Sequence, residues 1–374
     1  MRFLLFIPML VSIAGWSAEK DPKPEMHALA AEITAMQKFI FSEADFVAPQ
    51  NDATIKQSIS KLDEHLSHLN KASFEGDPVL QVNLSMLQQH IKDAKRSFSE
   101  DQKPFARFML QSSLQMCIAC HTRRKAPDFA WPETDAKNIP LIDRADYLFA
   151  TRQFTKGKKI YEELVGGFPE NKSGTWNLQK ALLALAVYYV RVVEDPAAGA
   201  AYFEKASGSD KIPVYLREEL KAWGKEFSAW AKEKNDKKAE QLTEVQLLDR
   251  AKKLLRHDDF SLVSELERSF HVRRLRAASL LQRLLESPGG FSPMKGEALL
   301  YLGKIYSRIS SSLFFRFGEM YLKACIQEYP KTTMSKSCYA ALESVVSEGY
   351  SGSSGTNIPD DEQIELMRLK RLAF

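Results

Sequence analysis

Cysteine is scarce, with only 4 in 374 residues, so a fold held by many disulfides is excluded and each thiol has to be accounted for singly. Charge of one sign is also missing: 52 Lys and Arg stand against 48 Asp and Glu, a net charge of +4. Neither half of the chain carries the basic excess that would make nucleic acid the default partner. After the first residues, no apolar run reaches membrane-spanning length without charges. There is no alternating strand pattern, no glycine loop to cradle phosphate and no nucleophile motif. Hydrolytic and transferase chemistry therefore find no support, and the chain reads as a non-enzyme.

What is present begins with MRFLLFIPMLVSIAGWSA. One positive charge, a short apolar run and small residues at Ser17 and Ala18 form the layout of a secretory signal peptide over residues 1–18. No cysteine follows the run, which speaks against a lipid anchor. The expectation is an exported, periplasmic protein without a membrane span in its mature chain.

Helical periodicity dominates the rest, and the length allows two or three domains. A first helix begins after Asp21-Pro22-Lys23-Pro24, with Met26, Leu29, Ile33, Met36 and Ile40 along one stripe, and breaks at Val47–Asp52. The second helix carries Ile55, Ile59, Leu62, Leu66 and Leu69, and Gly76-Asp77-Pro78 ends it. The third runs through Val79, Val82, Met86, Leu87 and Ile91, and the fourth from Pro104 to about Arg124. The fold class expected is all-α, with an up-down four-helix bundle over residues 19–126.

Residues 127–140 form a proline-marked linker. Beyond it, over 141–374, Ala145, Leu148, Gly157, Tyr161, Leu164 and Pro169 fall at the spacing of a tetratricopeptide repeat. Leu302, Gly303 and Tyr306 followed by Gly318, Leu322, Cys325 and Pro330 repeat it, and a degenerate copy spans Leu185 to Tyr202. Small residues at these points let paired helices approach closely, so the region resembles a tetratricopeptide-like solenoid offering a concave surface to a protein partner. Residues 207–290 are helical but off this pattern. Ser351–Gly355 reads as a flexible loop before a last helix.

The stretch Met116-Cys117-Ile118-Ala119-Cys120-His121 carries the chemistry. On a helix, Cys117, Cys120 and His121 stand at i, i+3 and i+4 and project from one face. Two thiols so placed can add to the vinyl groups of a haem while the imidazole ligates its iron, and CxxCH is the attachment signature of haem c. A thioredoxin-like pair would need its thiol at a helix N-terminus, and here the pair lies near a C-terminus. A zinc site would need further ligands at close spacing, and a disulfide within one turn would be strained.

An exported four-helix bundle with CxxCH near the end of its fourth helix resembles cytochrome c′ and its low-spin relatives over about residues 21–126. The resemblance implies one covalent haem in the bundle core, held by Cys117 and Cys120 with His121 as proximal iron ligand. It also implies a basic residue four after the histidine, where Lys125 stands. Family members face the other side of the iron with a residue of the first helix. That is a methionine in the low-spin branch and an apolar side chain in the branch that leaves the iron open. Met36 is the better-placed methionine and Met26 sits almost at the helix end. Glu32 stands where relatives often carry a basic residue.

Three histidines, His65, His68 and His90, read as solvated residues, with a bis-histidine haem the alternative. Cys325 and Cys338 lie symmetrically about the turn of one helical hairpin and are either a staple or two buried thiols. The basic runs Lys221–Lys238 and Arg268–Arg283 read as solvated helix faces or as docking sites for an acidic redox partner or lipid surface. The function expected is single-electron transfer by a c-type cytochrome with a repeat domain for docking. A five-coordinate haem protein that binds NO or CO is the alternative, and a repeat scaffold with structural haem a further one.

Overall fold

The computed structural model describes residues 22–69, 78–123, 139–171, 174–233, 241–256, 258, 260, 269–288, 292–309, 316–353 and 355–374. The signal-peptide region, Lys125 and nearly all of the 127–140 linker lie outside the described residues. What is described is all-α apart from one short strand pair.

The first helices are α1 (Lys23–Ile40), α2 (Glu43–Val47), α3 (Asp52–His68), α4 (Pro78–Ser99) and α5 (Lys103–His121). Prolines occupy the first turns of α1 and α5, where a missing N–H costs nothing. The first helix stops at Ile40, the last residue of its apolar stripe and short of the break expected at Val47. Ser42 ends it by accepting a hydrogen bond from the Asp45 N–H, which starts the short α2. α1 packs on α3, α3 on α4, α4 on α5, and α5 back on α1. Leu29, Met36, Ile59, Leu66, Ile91 and Leu110 belong to the apolar cluster these helices enclose.

The later helices are α6 (Leu141–Ala150), α7 (Phe154–Gly166), α8 (Thr175–Val187), α9 (Pro196–Ser207), α10 (Val214–Ala231), α11 (Glu244–Leu254), α12 (His271–Glu286), α13 (Pro293–Arg308), α14 (Phe317–Glu328), α15 (Thr333–Gly349) and α16 (Asp360–Ala373). A π-helical turn, Tyr188–Val192, extends α8 and packs against α7, α9 and α12. Most of these helices pack on their neighbours in sequence. Ser351–Gly355 is not merely a loop: β1 (Ser351–Gly352) pairs antiparallel with β2 (Gly355–Thr356).

Close approach depends on glycine where the spacing expected small residues. A Cβ on Gly303 would run into the Leu322 side chain. On Gly318 it would meet Ser307, including the backbone nitrogen at 2.7 Å, and the Gly303 carbonyl at 2.9 Å. On Gly157 it would lie 2.5 Å from the Phe149 ring. Cys325 and Cys338 are joined in a disulfide between α14 and α15, with Cα atoms 6.2 Å apart and both residues fully buried.

These contacts separate two kinds of glycine. Gly318→Ala should lower stability by about 1–3 kcal/mol, because its neighbours are backbone atoms that cannot turn aside. Gly166→Ala, with nothing within 4 Å of the added carbon, should be neutral or stabilising by up to about 1 kcal/mol. Urea denaturation of the two variants compares them; equal midpoints would contradict the close-packing account.

Candidate functional site

Cys117, Cys120 and His121 occupy the last turn and a half of α5. Both cysteines are half-buried and neither is in a disulfide. Around them Met116 and Ile118 are buried, and Cys117 packs against the apolar cluster of the later helices. The helix ends just after the motif. The Thr122 hydroxyl donates to the Ile118 carbonyl at 2.8 Å, and the buried Arg123 pairs with Glu286 of α12.

The imidazole of His121 is held in one tautomer. Its Nδ1 lies 2.6 Å from the Ala150 carbonyl oxygen, which can only accept, so Nδ1 carries the proton. Burial pushes its pKa down to about 4, so the ring is neutral near pH 7 and the Nε2 lone pair is left to ligate. A backbone carbonyl on the far nitrogen is how metal-bound histidines are oriented. Burial also pushes the Cys117 thiol up to about 12, with the neighbouring Cys120 adding to the shift. A redox-active pair needs the opposite, a thiol that ionises easily. Two unbridged cysteines, one of them held neutral, and an oriented neutral imidazole on one helical face are a donor set that fits haem c.

The carbonyl that orients His121 belongs to α6, so the motif is completed from beyond the linker. The helix α5 contributes to both apolar clusters. Ala106, Met109 and Leu110 lie in the first, whereas Leu114, Met116 and Ile118 lie in the second. A buried carboxylate locks this junction. Asp146 of α6 accepts from Gln115 Nε2 at 2.9 Å and from the Tyr161 hydroxyl at 2.6 Å, and it pairs with Lys180. Nearby, the Thr34 and Tyr147 hydroxyls share a 2.6 Å hydrogen bond that ties α1 to α6. Neither Gln115 nor Asp146 stood out in the sequence. The available signal was an acid four residues after Ile142 and three before Phe149, on the apolar stripe of α6.

Met36 is fully buried in the first cluster, and Cys117 packs on the second. Met26 packs at the edge of that first cluster. The histidines expected to be solvated are engaged. His90 Nε2 lies 2.8 Å from both the Met109 carbonyl and the Ser112 hydroxyl, bridging α4 and α5, and burial lowers its pKa. His65 and His68 both reach Glu25, an acid that the sequence pattern did not single out. The arginine run is not a free basic face: Arg273, Arg274, Arg276 and Arg283 pair with Glu226, Asp258, Glu233 and Glu194. No helix among the described residues is long and apolar enough to cross a membrane. Compared with known proteins, the chain matches no family model, no curated protein and no solved structure.

Removing the acceptor at the junction leaves a buried ammonium and two donors unmatched. Asp146→Ala should therefore cost about 3–5 kcal/mol, read by chemical denaturation. A loss under 1 kcal/mol would show that the junction does not depend on this carboxylate.

The adjacent Asp143 gives a pH signature. Burial, and then the charge of Asp146, raise its pKa from 3.8 to about 6, while Lys180 and Arg107 oppose the shift. The folded state thus favours the protonated acid. Its contribution to stability is full below pH 4 and is lost as pH rises through about 6. Asp143→Asn removes this titration, so wild type should lose stability relative to the variant between pH 4 and pH 7. A constant difference between the two proteins across that range would refute the assignment.

Proposed function

We propose that this chain is an exported c-type cytochrome, similar to the cytochrome c′ group over residues 21–126. Cys117 and Cys120 would hold one haem through thioether bonds, with His121 Nε2 as proximal ligand to the iron. The observation that carries this reading is the CxxCH face on α5, whose histidine is neutral and oriented by the Ala150 carbonyl. A bound haem supplies reversible one-electron chemistry. The chain's own part is to keep the imidazole in the ligating tautomer, to hold the Cys117 thiol neutral until it is alkylated, and to exclude water with Met116 and Ile118.

On this reading α1, α3, α4 and α5 make an up-down bundle, and residues 141–374 make a tetratricopeptide-like repeat array that docks a protein redox partner. The sequential packing of the later helices supports that architecture. The signal-peptide layout of residues 1–18 supports a periplasmic location, the compartment type in which haem is attached to such motifs.

A second reading is an open iron that binds NO or CO, and one observation favours it. Met36 is confined to a cluster that does not include Cys117.

Pyridine haemochrome analysis with intact mass should show one haem retained after denaturation, and Cys117→Ser with Cys120→Ser should abolish it. Haem that extracts into acid-acetone would overturn the proposal. A visible spectrum then separates the two readings. A low-spin wild type converted to high-spin and opened to CO by Met36→Leu marks the electron carrier. A wild type already high-spin that binds CO readily marks the gas binder.

A further inference from the structure

Two imidazoles and one carboxylate converge away from the CxxCH face. His65 and His68 are one turn apart at the C-terminal end of α3, and Glu25 is in the first turn of α1. Nδ1 of His65 is 3.0 Å from Glu25 Oε2, and Nδ1 of His68 is 3.3 Å from Glu25 Oε1. Each imidazole thus meets a different oxygen of one carboxylate, and one donor atom from each of the three residues lies within 4.8 Å of the others. The side chains are 27%, 46% and 22% exposed for His65, His68 and Glu25, so water reaches the cluster from one side.

We propose that Glu25, His65 and His68 form a binding site for a single Zn²⁺ ion, with its remaining coordination position open to water. Zinc–nitrogen and zinc–oxygen bonds of about 2.0–2.2 Å place tetrahedral ligands roughly 3.3–3.6 Å apart, close to the 3.0 and 3.3 Å at which the imidazoles already stand from the carboxylate. Small side-chain rotations complete the approach. Two imidazoles with one carboxylate suit zinc and other borderline metals rather than Mg²⁺ or Ca²⁺, which prefer shells of oxygen. Three protein ligands with one free position are also the pattern of an accessible rather than a closed zinc site. In the metal-free protein Nδ1–H groups donate to the carboxylate. On binding, the ring proton of each histidine resides on Nε2 and the Nδ1 lone pair faces the metal. The ion would clamp the start of α1 to the end of α3, and the site is independent of haem attachment because it uses none of the CxxCH residues.

The test is Zn²⁺ titration of the full-length protein by calorimetry, beside Cys117→Ser/Cys120→Ser, His65→Ala/His68→Ala and Glu25→Gln. One zinc per chain should bind wild type and the cysteine variant alike and raise the melting temperature of both. Removing a direct ligand should weaken binding by at least the roughly 10–100-fold that losing an outer-shell partner costs. Zn K-edge absorption fine structure on wild type reads the ligand set without any variant, and should show two imidazole shells with light oxygen scatterers. Absence of saturable binding, binding unchanged in the histidine variant, or binding lost only with the cysteines would each overturn the proposal.

Discussion

The junction of this molecule depends on one buried carboxylate. Asp146 gathers Gln115 from α5, Tyr161 from α7 and Lys180 from α8 onto α6. An acid buried without such partners would be neutralised or expelled, so the four helices must meet for it to stay. In meeting, they seat the second half of α5 in the later apolar cluster and bring the Ala150 carbonyl against His121. The orientation of the histidine is thus a consequence of how the chain packs after its linker, not of the helix that carries the motif.

That dependence gives the motif its chemistry. A helical CxxCH places three donors on one face, but a free imidazole samples two tautomers and a solvated thiol ionises in part. Here a carbonyl selects the tautomer, and burial holds His121 and Cys117 neutral. Both effects oppose thiolate redox chemistry and suit ligation and alkylation. The same packing places Met36 in the other cluster.

Surface features show the same sorting of charge by partner. The arginine run on α12 looks from its composition like a solvated or docking face, yet Arg274 is fully buried against Asp258 and three neighbours hold glutamates from other parts of the chain. Histidines on polar faces look solvated, yet His65 and His68 converge on an acid forty residues earlier. A helix face is polar in sequence whether its partner is water or a side chain from a distant helix.

Local periodicity determined much of this protein. The stripe Leu29–Met36–Ile40 in α1, the Ile55–Ile59–Leu62–Leu66 face of α3 and the glycines at 157, 303 and 318 were all legible, because helix spacing and close approach are written in neighbouring residues. So was the common face of Cys117, Cys120 and His121. The two-residue strand pair and the break at Ser42 were not, since each rests on a single turn or cap outweighed by the surrounding pattern. Only tertiary structure decided the rest: the Asp146 contacts, the carbonyl on His121, the disulfide's burial and the meeting of Glu25 with His65 and His68. These join residues 13 to 43 positions apart, and no local spacing encodes which distant donor an acid or an imidazole will find.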